Sequence, residues 1–92
     1  MNGVYVLKRH RQHSEPFDPV KLHQSVMAAC LSVRSLEGEA HLTAEQVCSK
    51  VIDWLATKTE VTSADIRRVA AKNLHIYHPE AAYLYEHHRT II

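Results

Sequence analysis

The first 22 residues constrain the fold most, because they contain a strand pattern and, shortly after it, a helix start. Residues 4–9 alternate with a period of two and are rich in β-branched and aromatic side chains, which predicts a strand over about residues 3–9. A polar turn follows, and Ser14 to Phe17 would return as a second strand. Asp18-Pro19 then favours a helix start, since Asp accepts bonds from free N–H groups and Pro has φ preset. An isolated hairpin is marginally stable, so this one is expected to lie on helices.

The rest of the chain carries apolar residues at helical spacing, which predicts helices. Thr43 begins a capping-box pattern, and Thr62-Ser63 with an acidic residue after it indicates another helix start. His78-Pro79 would end one helix and begin the next, whose register is set by Ala82, Tyr83, Glu86 and Arg89. The predicted helices span about residues 19–34, 43–57, 63–77 and 79–90, with a loop over 35–42 and a connector over 58–61.

These elements predict an α+β fold that is mostly helical, with a short N-terminal β-hairpin over about residues 3–17 packed on a bundle of four α-helices. The chain has 92 residues, of which 46% are hydrophobic and 23% charged, and this is typical of one folded domain over residues 1–92. Cys30 and Cys48 are isolated, so both are expected to be small core residues. With no long apolar run and no signal-peptide pattern, the expected location is cytoplasmic.

Basic residues are concentrated at the start of the chain. Residues 1–23 hold four basic and two acidic side chains, whereas residues 24–60 hold three basic and five acidic ones. Cations beside a helix start neutralise and hold phosphate oxygens, so a compact site for one small anionic ligand is indicated rather than a nucleic-acid stripe. The alternative is a solvated basic edge that discourages strand aggregation.

Three short motifs in this order of elements resemble the ATP-cone domain, the nucleotide-binding regulatory module at the N-terminus of many ribonucleotide reductases and in the repressor of reductase genes. The motifs are Val6-x-Lys8-Arg9, Glu15-x-Phe17-Asp18 and Lys21-Leu22, and a closing helix carries Ala81, Ala82 and Tyr83. The resemblance covers Val4 to about Arg89. It implies a module that binds ATP or dATP with Mg²⁺ and controls the oligomerisation or activity of a ribonucleotide reductase-type partner or parent enzyme.

The resemblance also implies a set of nucleotide-binding residues. Val6 would line the base pocket, Lys8, Arg9 and Lys21 would hold the phosphates, Glu15 and Asp18 would hydrogen-bond the base or sugar, and Ser63 and Arg67 would contribute from the third helix. Two departures from the family pattern are present. The turn over residues 10–14 is one residue longer than the usual Asp-Gly turn and lacks Gly, and Arg67 stands at a position that is often His in reductases.

Other chemistries are not indicated by the sequence. Eight histidines suggest a metal, but His75 and His78 straddle a helix end and His87 and His88 are adjacent on a helix, so no metal site is predicted. No nucleophile and base pair is identifiable, so no catalytic residue is assigned and an enzyme is not expected. DNA binding is disfavoured because the repressor branch uses a zinc ribbon, whose four cysteines are absent. The second hypothesis is a nucleotide-free interaction module of the same fold, which the Gly-free turn would favour.

Overall fold

The computed structural model describes residues 5–7 and 14–87, which are mostly helical, with a Cα radius of gyration of 12.7 Å. This confirms the predicted mostly helical character. The elements are β1 (Tyr5–Leu7), β2 (Ser14–Pro16), α1 (Pro19–Ser32), α2 (Glu37–Leu55), β3 (Glu60–Thr62), α3 (Ser63–Tyr77) and α4 (Pro79–His87). No helix in these residues is both long enough and apolar enough to cross a membrane.

The three short strands form one sheet in the order β2-β1-β3. β1 pairs antiparallel with β2, where Val6 lies opposite Glu15, and parallel with β3, where Val6 lies opposite Val61. β3 is not predicted by the sequence, whose residues 58–61 indicate a connector, because a three-residue strand with one buried side chain has no readable alternation. The turn predicted between β1 and β2 lies outside the described residues.

The helices pack around one apolar core. α1 packs against α2 and α4, and α3 packs against the same two helices. Cys30 and Cys48 are buried free thiols in this core, as predicted. Among the largest fully buried side chains are Val26 on α1, Leu55 on α2 and Leu74 on α3. The sheet joins the core through Val6 and Val61, which are also buried.

Helix α2 begins six residues earlier than predicted. The predicted loop is therefore wrong over residues 37–42, and so is the predicted cap at Thr43, since Thr43 lies inside a helix that starts at Glu37. Two physical effects extend it: Ala40 is fully buried against the core, and Glu37 and Glu39 lie in the first turn, where negative charge is favoured. Together they outweigh the cost of Gly38 in a helix, about 1 kcal/mol.

Candidate functional site

A cleft of about 950 Å³ opens between the sheet and the helices, within the usual size of a small-molecule site. Its walls come from β1, β2, the start of α1, the start of α3 and the end of α4, and α2 contributes no lining residue. Five side chains predicted to bind nucleotide lie in these walls: Val6, Asp18, Lys21, Ser63 and Arg67. Residues that are up to 61 positions apart in the sequence are thus brought to one concave surface.

The floor of the cleft is apolar. Val6, Leu22 and Ile66 line it and are each at least nine-tenths buried, and Phe17 is half-buried beside them. Apolar surface of this kind accommodates a ring system by excluding water from its faces. The floor therefore offers a place for the uncharged part of a ligand.

The start of α1 supplies a capped helix N-terminus and a cation. Asp18 is the N-cap, and its Oδ1 accepts hydrogen bonds from the backbone N–H groups of Val20, at 3.0 Å, and Lys21, at 3.4 Å. This confirms the capping role predicted for Asp18. The Lys21 side chain is exposed at the cleft, so its ammonium group can meet an anion there.

The start of α3 supplies a second helix N-terminus. A capping box closes it: the Asp65 N–H donates to Thr62 Oγ1 at 3.0 Å, and the Thr62 N–H donates to Asp65 Oδ2 at 3.2 Å. The bonds with Thr62, and next that with Arg68, lower the pKa of Asp65 below its ordinary value. Asp65 is not part of the cleft wall, whereas Ser63, in the first turn, is.

Arg67 connects α3 to the end of α4 across the cleft. Its Nη1 donates a hydrogen bond to the backbone carbonyl of Tyr85 at 3.1 Å, and its guanidinium carbon lies 5.6 Å from the centre of the Tyr85 ring. Arginine has five N–H donors in a planar guanidinium group, and this contact places that group between α3 and α4 at the cleft.

Tyr85 forms part of the cleft wall and is 2% exposed. Burial raises the pKa of its phenol, although a hydrogen bond with Ser25 and the positive charge of Arg67 act in the opposite direction. Ser25 is itself buried, and its Oγ donates to the Leu22 carbonyl at 2.9 Å. Arg67, Tyr85 and Ser25 therefore link α3, α4 and α1 at the base of the cleft.

Three of the predicted site residues have side chains that the structure does not describe. Lys8 and Arg9 lie outside the described residues. Glu15 lies in β2 opposite Val6, but only its backbone is described. Among the described lining residues, the charged side chains are Lys21 and Arg67 against Asp18, which leaves one excess positive charge.

Ser25, Ile66 and Tyr85 line the cleft but are not among the site residues predicted from the sequence. Tyr83 is one of the residues predicted to set the register of α4, yet it is 62% exposed, while Tyr85 and Ala82 are buried. The register prediction from Tyr83 is therefore wrong. Ala82 and Tyr85 are three residues apart on one helical face, and that spacing was the signal that could have identified Tyr85.

Comparison with known proteins gives one result. A protein-family model described as the ATP cone domain matches residues 4–90, nearly the whole chain. No curated protein and no solved structure gives a significant match.

Proposed function

Since the chain belongs to the ATP-cone family of nucleotide-binding regulatory domains, we propose that its cleft binds an adenine nucleotide, ATP or dATP. The observation that carries this proposal is the convergence of Val6, Asp18, Lys21, Ser63 and Arg67 on the cleft from separate elements. A regulatory module needs only to bind, and the proposed role includes no catalysis.

The base and the phosphates would occupy different parts of the cleft. The adenine would lie on the apolar floor, where Val6, Leu22 and Ile66 exclude water. The phosphates would face Lys21 and Arg67 at the starts of α1 and α3, because helix N-termini and cations both favour negative charge. Lys8 and Arg9 would add cations from beyond β1, and Glu15 would hydrogen-bond the base or sugar.

Mg²⁺ would accompany the triphosphate. It is usually held by substrate phosphates, water and one or two carboxylates. Asp18 is the carboxylate among the described lining residues, and both of its recorded bonds use Oδ1, so Oδ2 can face a cation or the ribose. The residues present therefore fit a phosphate-held Mg²⁺.

The proposed consequence of binding is a change in self-association, or in the activity of a ribonucleotide reductase-type partner or parent enzyme. A ligand shifts an assembly equilibrium only by its difference in affinity for the two states. Arg67 offers a physical route for such a difference. Phosphate would compete with the Tyr85 carbonyl for its guanidinium group, which couples the cleft to the end of α4.

Thermal unfolding tests nucleotide binding. ATP or dATP with Mg²⁺, at ~100 times its dissociation constant, should stabilise the chain by ~2.7 kcal/mol, a shift of roughly 10 °C or more for a domain of this size. Lys21→Ala should reduce the shift strongly. Lys50→Ala is the matched control, since Lys50 is exposed on α2, which does not line the cleft.

The outcomes separate the two functional hypotheses. A shift with different sizes for ATP and dATP supports reductase-type control, and sedimentation with each nucleotide would then measure the change of assembly. Equal loss of the shift in Lys21→Ala and Lys50→Ala would contradict the assigned site. No shift with either nucleotide would favour the nucleotide-free interaction module.

A further inference from the structure

Two histidine rings meet across α1 and α2, beside a second groove. His23 Nε2 lies 3.1 Å from His41 Nδ1, and His41 Nε2 lies 3.4 Å from Glu45 Oε2. His23 and Glu45 line the groove together with Cys48 and Ile52. We propose that His23 and His41 form a two-histidine site for a divalent transition-metal ion such as Zn²⁺, with Glu45 orienting His41.

The separation of the two nitrogen atoms fits a shared metal ion. With Zn–N bonds of about 2.0–2.1 Å, two nitrogens 3.1 Å apart subtend an angle of about 100° at the ion. That angle lies between octahedral and tetrahedral values. The pair therefore needs little movement to chelate zinc, copper or nickel, the ions that imidazole favours.

The distance between the centres of the two rings also fits a shared metal ion. Rings that both aim at a common ion with Zn–N bonds of about 2.05 Å would have centres about 4.8 Å apart, whereas a straight hydrogen bond between them would place the centres about 5.4 Å apart. The observed separation is 4.8 Å, at an interplanar angle of 65°. The separation of the ring centres therefore matches that of two histidines bound to one ion.

Glu45 supplies the second feature of a metal site. Metal-bound histidines usually give their other ring N–H to a carboxylate, which fixes the tautomer. Glu45 is one helical turn after His41, in an i,i+4 pair with 3.4 Å between His41 Nε2 and Glu45 Oε2. In the proposed site the His41 proton is on Nε2, beside Glu45, and the lone pair of Nδ1 is left for the ion. Binding would move the His23 proton from Nε2 to Nδ1, so two neutral rings release no net proton.

The site is open to solvent. The side chains of His41 and Glu45 are 56% and 58% exposed, and within residues 5–7 and 14–87 no group of three or more His, Cys, Asp or Glu side chains is placed to hold a metal. Water would complete the coordination sphere. Because His23 is on α1 and His41 on α2, the ion would tie together two helices that are otherwise joined by apolar packing. This inference does not depend on nucleotide binding.

Calorimetric titration of the tag-free chain with Zn²⁺ tests the site. Nucleotide is omitted because it chelates the ion. One equivalent should bind, and His23→Gln and His41→Gln should each abolish that event. Glu45→Gln should weaken it by ~10 to 100-fold, the usual effect of losing such a partner. His75→Gln is the matched control, an exposed histidine on α3, and should bind as the parent does.

Imidazole ¹⁵N spectra provide a second readout. Zn²⁺ should shift the Nε2 resonance of His23 and the Nδ1 resonance of His41, with protons on His23 Nδ1 and His41 Nε2. Absence of Zn²⁺ binding, unchanged binding in His23→Gln and His41→Gln, or shifts at other histidines alone would overturn the proposal. In that case the contact is a surface hydrogen bond only.

Discussion

Arg67 is the residue on which the proposed regulation depends most. It lines the cleft, and it holds the backbone carbonyl of Tyr85 at the end of α4. Its guanidinium group is permanently charged and is a planar fork suited to phosphate. Through this one side chain, binding in the cleft can thus affect α4.

Substitution of Arg67 should show whether nucleotide affinity depends on this side chain or only on the net positive charge of the protein. Arg67→Ala removes a charged hydrogen-bond donor, worth about 1.5–3 kcal/mol, and should weaken ATP affinity by ~10 to 100-fold. Arg68→Ala is the matched control, because Arg68 is exposed and pairs with Asp65 at 3.3 Å, away from the cleft. The two affinities are measured by calorimetry, and an equal loss in both variants would contradict a specific role for Arg67.

At the scale of elements, helix ends are specified by local contacts. α1 ends in a Schellman motif: the Ser35 N–H donates to the Cys30 carbonyl at 3.1 Å and the Arg34 N–H to the Leu31 carbonyl at 3.0 Å. Arg34 adopts φ of 66° there, a left-handed conformation that favours glycine. α1 therefore ends with a strained non-glycine residue.

Arg34→Gly should stabilise the chain. Glycine relieves the left-handed strain, but it also makes the unfolded chain more flexible. The free energy of unfolding measured in urea should therefore rise by about 0.5–1 kcal/mol. Arg34→Ala removes the same charge and keeps the strain, so it should give no such gain. Equal stabilisation by both variants would mean that charge, rather than backbone conformation, is the cause.

The cap of α3 should contribute measurably to stability. Thr62→Ala removes the acceptor for the Asp65 N–H and should cost about 1 kcal/mol in the free energy of unfolding. Thr57→Ala is a suitable control, since Thr57 is exposed and its hydroxyl makes only a 3.4 Å bond to the Trp54 carbonyl. A smaller loss for Thr62→Ala than for Thr57→Ala would contradict the capping role.

The same cap has a pH dependence with a definite sign. The folded pKa of Asp65 is lowered by its bonds to Thr62, so its contribution is present above the unfolded pKa and is lost as pH falls through the folded pKa. Asp65→Asn should therefore reduce the acid sensitivity of unfolding between neutral and acidic pH. If the free energy of unfolding depended on pH in the same way in Asp65→Asn, the pKa of Asp65 would be the same in the folded and unfolded states.

At the scale of the whole molecule, the cleft is made by every layer of the fold except α2. The sheet, α1, α3 and α4 all contribute lining residues. β3 is essential to this arrangement, because its parallel pairing with β1 leads directly into α3. Val6 of β1 and Ser63 of α3 thereby reach the same cavity.

Hydrogen exchange should show which elements of the fold contact the nucleotide. At short labelling times, where local opening dominates, ATP should slow exchange over residues 17–25, 63–67 and 81–87. Exchange over residues 40–50 of α2 should change little, because this helix does not line the cleft. The largest protection in α2 would place the nucleotide elsewhere, and uniform protection would report global stabilisation only.

The sequence by itself determined the helix starts at Pro19, Ser63 and Pro79, because caps and proline act through neighbouring residues. It also determined the family, since motif residues and their order are properties of the chain. Tertiary structure alone decided β3 and the contacts of Arg67 with Tyr85 and of His23 with His41. Each of these depends on packing or pairing with residues distant in sequence, and such contacts leave no local periodicity to read.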